Sequence, residues 1–154
     1  MMIHPELSRY QRLPVSLVEI SVAFHDVDVM EVVWHGNFIK YFEVARCSVL
    51  QAIGYDYPEM RASGYAWPIV DIHSRFILPA TYGDQLQVAA IIVEWEVRLL
   101  IKYLVINNSS QSVITRGQSV QVPLDMKSMT MKVGCPDLLR HKIEAWRKVN
   151  NSDQ

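Results

Sequence analysis

An alternation of apolar and polar side chains marks the segment from Leu17 to Phe24. Its apolar side chains fall on one face of an extended backbone: Val18, Ile20, Val22 and Phe24. Because successive side chains of a strand point to opposite faces, the segment is predicted to be a half-buried β-strand.

Between Phe38 and Ile53, polar and apolar side chains recur at the spacing of an α-helix. One narrow stripe is more polar: Lys40, Glu43, Cys47 and Gln51. Apolar side chains cover most of the remaining surface: Phe38, Ile39, Phe42, Ala45, Val49, Leu50 and Ile53. A helix that is apolar over so much of its circumference is predicted to be enclosed by the fold, and Gly54 is a natural stop.

Further strands are predicted after a loop. They cover residues 66–78, 85–94, 99–106 and 113–122, with turn residues at 79–84 and 107–110. Contiguous strands joined by short turns imply an antiparallel sheet. A last helix is predicted over 136–149, with an apolar stripe formed by Leu138, Leu139, Ile143 and Trp146. This order of strands and helices along the chain predicts one α+β domain over 1–154, with its core at about 17–124. Its curved antiparallel sheet is predicted to wrap around the long helix.

Composition and charge narrow the possible functions. The 154 residues are 50% hydrophobic and 20% charged, and the net charge of −1 gives no basic face for nucleic acid. No apolar run approaches the ~18 residues of a membrane span. Cys47 and Cys135 are predicted to be free thiols, Cys47 within the buried helix, and a reducing cytoplasm is the expected compartment. The five histidines lack the spacing of a metal site, and neither a phosphate-binding glycine loop nor a G-x-S-x-G motif is present.

The segment from Asp26 to Phe38 carries the candidate chemistry. Asp26 and Asp28 close the first strand, and a turn then leads to the start of the long helix. A helix start has unpaired backbone N–H groups and partial positive charge, so a carboxylate before it could act as a base or a nucleophile while the amides polarise a carbonyl. From position alone, Asp28 could equally be a simple helix cap.

Two separated motifs resemble the 4-hydroxybenzoyl-CoA thioesterase family of hotdog-fold enzymes, especially its acyl-CoA thioesterase branch. The first motif comprises Phe24, Asp26, Asp28, Val32-Val33-Trp34-His35, Asn37-Phe38, Phe42-Glu43 and Arg46, and the second is Pro79-Ala80-Thr81-Tyr82-Gly83-Asp84. The resemblance implies that Asp28 is catalytic and that the backbone N–H of His35 polarises the thioester carbonyl. It also implies active sites between paired subunits, hence a homodimer or homotetramer. No separate cofactor is expected, because coenzyme A is part of the substrate.

Glu31 departs from the family pattern, which usually has glycine at this turn position. Either the turn is reshaped, or Glu31 adds a second carboxylate near the mouth of the site. Asn37 could cap the helix or hydrogen-bond in the pocket, and Trp34 could line an acyl tunnel. Glu43 is the alternative base, although an ion pair with Arg46 explains it too. Arg98 and Lys102, on one face of a predicted strand, are candidates to bind CoA phosphates together with Arg116, unless they are ordinary solvated charges.

These observations predict a thioesterase that acts on an acyl-CoA or an acyl carrier protein. Two alternatives remain at this point. A hotdog dehydratase would need a histidine and a carboxylate across the subunit interface, and no such pair is legible. A non-catalytic acyl-binding protein is favoured only by Glu31.

Overall fold

The computed structural model describes residues 3–152 and confirms the α+β class. The first two and last two residues of the predicted domain lie outside this range. The strands are β1 (Val15–Ser21), β2 (Tyr65–Ala66), β3 (Ile69–Phe76), β4 (Gln85–Glu94), β5 (Leu99–Asn107), β6 (Val113–Gln121), β7 (Leu124–Asp125) and β8 (Thr130–Met131). The α-helices are α1 (Asn37–Ala52), α2 (Tyr57–Ala62) and α3 (Asp137–Asn151), and short 3-10 helices cover Pro5–Tyr10 and Phe24–Asp26. None of the helices described is long and apolar enough to cross a membrane.

Five strands form the main sheet in the order β1-β4-β5-β6-β3, with every neighbouring pair antiparallel. The strands β4, β5 and β6 are central, whereas β1 and β3 are the two edges. A second, three-stranded sheet has the order β2-β7-β8. The predicted antiparallel arrangement is therefore confirmed.

Helix α1 lies across one face of the main sheet and contacts β1, β4 and β5. Its buried side chains form one broad face: Asn37, Phe38, Tyr41, Phe42, Ala45, Val49 and Leu50. The predicted polar stripe is exposed, but so are Ile39 (38%) and Val44 (51%). Full enclosure was therefore wrong for a single protomer, because one sheet can cover only one side of a helix. Cys47, predicted to be buried, is exposed, and it and the buried Cys135 are free thiols.

Several boundaries differ from the prediction for local reasons. Phe24 is not in the first strand but in a 3-10 helix, where it is 77% exposed. The predicted strand 66–78 is interrupted at Trp67-Pro68, because proline has no N–H to donate to a sheet ladder. Leu138 is 40% exposed and does not join Leu139 and Ile143 in the core.

Helix α2 was not predicted. It is short, and the sequence marks it by residues at its start rather than by a repeat of apolar side chains. Proline occupies its first turn, and the side chains of Asp56 and Glu59 form a capping box with the backbone.

Candidate active site

A tight turn holds Asp28. The N–H of Asp28 donates to the carbonyl of Val32 at 2.9 Å, and the N–H of Glu31 donates to the carbonyl of Asp28 at 2.9 Å. Glu31 has φ +66°, in the left-handed region. This combination is a type I turn followed by a left-handed residue, the common three-residue hairpin loop in which glycine is favoured. Glu31 therefore occupies a position whose backbone conformation favours glycine, and its side chain is exposed.

The carboxylate of Asp28 is partly buried and is oriented by the same turn. Its Oδ1 accepts a hydrogen bond from the N–H of Met30 at 2.8 Å. Within residues 3–152 its Oδ2 accepts no hydrogen bond from the protein. One oxygen is therefore fixed while the other is available to a water molecule or a substrate.

Asp26 has a structural position directly before this turn. Its side-chain Oδ2 accepts hydrogen bonds from the hydroxyl of Tyr41 at 2.8 Å and from the N–H of Ala23 at 3.2 Å. Its backbone carbonyl accepts from the N–H of Trp34 at 3.0 Å and from Nδ2 of Asn37 at 2.8 Å. Burial, followed by the hydrogen bond to Asp26, raises the pKa of Tyr41 above its ordinary value, so this phenol stays a neutral donor.

The turn returns the chain to the start of α1. Val27 pairs with Val33 in a short antiparallel bridge, and Trp34, His35 and Gly36 then lead into the helix. No side chain caps this helix start, because the N-cap residue is Gly36. Asn37, the first helical residue, donates from its side chain to the carbonyl of Asp26. Within the described range, the backbone N–H groups of His35 and Gly36 donate to no protein acceptor. They can therefore bind a carbonyl oxygen or an oxyanion.

Aromatic side chains surround this helix start. The indole of Trp34 lies over Gly36, where an added Cβ would meet the ring at 2.3 Å. The ring of His35 lies 5.1 Å from that of Trp34 and 6.1 Å from that of Phe76, measured between centroids. Phe76 ends the edge strand β3 and also packs against Phe38 at 5.6 Å. The imidazole of His35 is exposed and makes no hydrogen bond to the described residues.

The cations predicted to bind CoA phosphates lie elsewhere in the protomer. Arg98 is in the turn before β5 rather than in the strand, and it donates to Glu94 at 3.1 Å. The full length of β4 separates this turn from the Asp28 segment, which pairs with Thr81 through Val32. Lys102 is exposed on the sheet face opposite α1, in a cavity of about 290 Å³ shared with Arg9, Arg75 and Arg116.

Arg116 is already engaged in this outer cavity. Its guanidinium donates two hydrogen bonds of 2.5 Å to the carboxylate of Glu6. The hydrogen bond to Arg116 lowers the pKa of Glu6, and the same contact raises the pKa of Arg116. The structure therefore does not bring Arg98, Lys102 or Arg116 together with Asp28 within one protomer.

A larger cavity, which sequence reasoning did not predict, lies between α1 and α2. We call this the α1–α2 cavity, and its volume is about 680 Å³. Its walls are mainly apolar and aromatic: Leu50, Tyr57, Met60, Tyr65, Trp67 and Leu124. Glu43 and Arg46 stand at its edge, joined by a 2.5 Å hydrogen bond, so the predicted ion pair is present. The only sequence signal for the cavity was the exposed polar stripe of α1.

The arrangement supplies parts for carbonyl chemistry. Among the residues described, no three His, Cys, Asp or Glu side chains are grouped so as to hold a metal ion. A carboxylate oxygen is free at the turn, and unpaired amides stand at the helix start that follows it. These are the two elements of general-base or nucleophilic catalysis with oxyanion stabilisation.

Comparison with protein families gives this geometry a context. Residues 22–143 match the model of the Thioesterase-like superfamily. The match covers most of the chain and includes the Asp28 turn, α1 and every strand of the main sheet except β1. The chain belongs to the Thioesterase-like superfamily.

Individual relatives agree with this assignment. Over 70 residues, 46% of this chain, it is 34% identical to the putative acyl-CoA thioesterase YneP of Bacillus subtilis (strain 168). The match spans about half the length of YneP, 51%. The fold is that of DHNA-CoA thioesterase from Staphylococcus aureus, with a TM-score of 0.75 and 22% identity over 91% of this chain and 95% of that one. A mutant of 4-hydroxybenzoyl CoA thioesterase complexed with 4-hydroxybenzoyl CoA has a TM-score of 0.74 and 17% identity, covering 84% of this chain and 99% of that one.

Proposed function

We propose that the protein is a thioesterase that hydrolyses an acyl-CoA, or an acyl group on a carrier protein, to the free acid and the thiol. The observation that carries this proposal is the Asp28 carboxylate, fixed in a turn that leads directly to the uncapped start of α1. Family membership and the similarity to a putative acyl-CoA thioesterase support it. Coenzyme A enters as part of the substrate, and no further cofactor is proposed.

Asp28 acts as general base or as nucleophile. As a base, its free oxygen takes a proton from water while the water oxygen bonds to the thioester carbon, and collapse of the tetrahedral intermediate breaks the C–S bond. As a nucleophile, the carboxylate itself bonds to that carbon and expels the thiolate. Water then hydrolyses the resulting mixed anhydride and restores Asp28. Both routes consume one water and release one acid and one thiol.

The amides at the start of α1 stabilise the oxygen that gains charge. The backbone N–H groups of His35 and Gly36 have no protein acceptor among the described residues, and the helix adds partial positive charge at this end. Loss of one such donor typically reduces kcat by about 100- to 1,000-fold. The indole of Trp34 covers Gly36, and we propose that it lines the acyl entrance, whereas Asn37 orients the loop through Asp26.

The complete site is proposed to form between two protomers. Strand β3 is an unpaired edge of the main sheet, and its apolar side chains are exposed: Val70, Ile72 and Phe76. An exposed apolar edge strand is a ready surface for pairing with a second chain. A dimer, alone or within a tetramer, would cover this edge beside His35. Arg98 and Lys102 are retained as candidates for CoA phosphates, a role that needs a ligand extending well beyond the thioester.

Replacement of Asp28 by asparagine tests the proposal. Asparagine keeps an acceptor for the N–H of Met30, so Asp28→Asn should fold and melt like the wild type. It cannot accept a proton or form an anhydride, so thioester turnover should fall by roughly 100-fold or more. Release of free thiol from a panel of acyl-CoA thioesters measures this.

Glu43→Gln is the matched control, because Glu43 lines the α1–α2 cavity and is the alternative base that the sequence offered. It should keep most of the wild-type turnover. Full activity of Asp28→Asn together with loss of activity in Glu43→Gln would transfer the catalytic role to Glu43. Tight binding of acyl-CoA by the wild type without thiol release would replace the enzyme with an acyl-binding protein.

A further inference from the structure

Four cations line the outer cavity, on the face of the main sheet opposite α1. They are Arg9, Arg75, Lys102 and Arg116, out of 15 Lys and Arg in a chain of net charge −1. Among the described residues, no Asp or Glu side chain lines this cavity. Positive charge concentrated in a concave site attracts anions, so the outer cavity has the electrostatics of an anion site.

The strand register holds three of these cations close together. Arg75 on β3 lies directly opposite Arg116 on β6, and Lys102 on β5 lies opposite Gln118, two residues further along β6. Side chains directly opposite each other have Cβ atoms about 5 Å apart, and diagonal neighbours are roughly 7–8 Å apart. Like charges placed directly opposite each other in a sheet are destabilising. An anion bound between these cations would remove that repulsion.

The chain itself supplies one anion to this cluster. The carboxylate of Glu6, in the first 3-10 helix, accepts two hydrogen bonds of 2.5 Å from the guanidinium of Arg116 and one of 3.2 Å from Arg9. Within residues 3–152, Arg75 and Lys102 form no ion pair, and both are exposed. One carboxylate therefore serves four cations, which leaves an excess of positive charge beside Glu6.

We propose that the outer cavity binds an oligophosphate, a chain of two or more linked phosphate groups, through Arg75 and Lys102 beside the pair formed by Glu6 and Arg116. A guanidinium binds phosphate oxygens through two parallel hydrogen bonds, and lysine binds them as a point charge. A linked chain reaches more of these separated cations than a single phosphate group does. The cavity volume of about 290 Å³ is close to the lower limit of ligand pockets, about 300 Å³.

This ligand is distinct from the thioester, and the inference goes beyond the proposed activity. The main sheet lies between the outer cavity and α1, whose start carries the amides of the proposed thioesterase site. The oligophosphate can be free or can be the end of a nucleotide, since both present the same anionic groups. Lys102 is also a candidate for the CoA phosphates, so competition with CoA distinguishes a separate ligand from the substrate.

Calorimetric titration with inorganic triphosphate, in a buffer without divalent cations, tests the proposal. The wild type should bind triphosphate roughly tenfold or more tighter than orthophosphate, because linked phosphates reach more of the cations. Arg75→Gln and Lys102→Gln should each weaken binding of triphosphate by about tenfold or more, because each removes a charge-assisted hydrogen bond. Both side chains are exposed, so both variants should melt like the wild type.

Arg140→Gln is the matched control. Arg140 is an exposed arginine on α3 that pairs with Asp137 and does not line the outer cavity. Its replacement changes the net charge of the protein by the same amount as Arg75→Gln, and it should leave the affinity for triphosphate close to that of the wild type. Equal weakening in Arg140→Gln and Arg75→Gln would show only general attraction to the charge of the protein, and the site would be overturned.

The same titration in the presence of excess CoA separates this ligand from the substrate. Unchanged affinity for triphosphate supports a separate site. Loss of triphosphate binding would assign these cations to the CoA phosphates and overturn the inference, as would a wild type that binds triphosphate no more tightly than orthophosphate. Tighter binding of ATP than of triphosphate supports a nucleotide as the source of the oligophosphate, and equal or weaker binding supports a free one.

Discussion

The backbone angle φ of Glu31 is the source of local strain in the turn that holds Asp28. Its φ of +66° places it in the left-handed region, where a side chain costs roughly 1 kcal/mol relative to glycine. The turn nevertheless forms, because the hydrogen bonds from Asp28 to Val32 and from Glu31 to Asp28 both depend on this conformation. The protein therefore carries local strain beside its proposed catalytic carboxylate.

Relief of that strain gives a prediction at the residue scale. Glu31→Gly should raise the free energy of unfolding by roughly 0.5–1 kcal/mol, since glycine adopts φ +66° without a steric penalty. Denaturant titration measures the change. Met30→Gly lies in the same turn without a positive φ and should not be stabilised. A Glu31→Gly protein no more stable than the wild type would show that the turn is not strained.

At the scale of elements, α1 packs on β6 through one side chain. Gly117 faces the ring of Phe42, and an added Cβ would lie 2.5 Å from that ring and 3.2 Å from the carbonyl of His73. Phe42 cannot move aside freely, because it is stacked on Tyr103 with 4.5 Å between centroids and 10° between planes. The absence of a side chain at Gly117 thus makes room for the ring of Phe42 between helix and sheet.

Gly117→Ala should consequently destabilise the protein by about 1–3 kcal/mol, the usual cost of overpacking a core. Thermal or chemical unfolding gives the value. Ser74 lies directly opposite Gly117 in the sheet, and its buried hydroxyl has no partner within residues 3–152. Ser74→Ala is therefore a matched control that should be neutral or slightly stabilising. Equal stabilities of the two variants would contradict the packing argument.

Elements with a strong period were predictable from sequence. Strand β4 spans the predicted residues Gln85–Glu94, because its alternating side chains Leu86, Val88, Ala90 and Ile92 are buried against α1. Features that depend on local hydrogen bonds were not predictable from the spacing of apolar side chains. The capping box of α2 and the 3-10 helix at Phe24 belong to this group.

The candidate site was predictable where one stretch of chain builds it. Asp28, Trp34 and His35 lie close in sequence, so their association with the helix start could be inferred from the order of elements. The positions of Arg98 and Lys102 depend on where β5 begins and on which sheet face each side chain lies. The sequence pattern did not resolve either.

For the whole molecule, the two edges of the main sheet offer a direct comparison. Both edge strands expose an apolar side chain, Ile72 on β3 and Leu17 on β1. Only β3 ends beside His35, through Phe76. The proposed shared site therefore requires association through β3 rather than β1.

Ile72→Lys should convert the proposed dimer into monomers, since a lysine on an edge strand opposes pairing with another chain. Thioester turnover should fall with the loss of the dimer, while circular dichroism stays that of the wild type. Sedimentation measures the state of association. Leu17→Lys, on the other edge, should leave both properties unchanged, and a monomeric wild type with full turnover would exclude the shared site.

The backbone carbonyl of Asp26 has a consequence for how quickly the protein can act. It ties together the two ends of the loop by accepting hydrogen bonds from the N–H of Trp34 and the amide of Asn37. These two hydrogen bonds position the Asp28 turn relative to the start of α1, so the proposed catalytic groups are preorganised for an acyl substrate. Such a loop needs no closing motion, so exchange of the Trp34 amide proton should be as slow without substrate as with it.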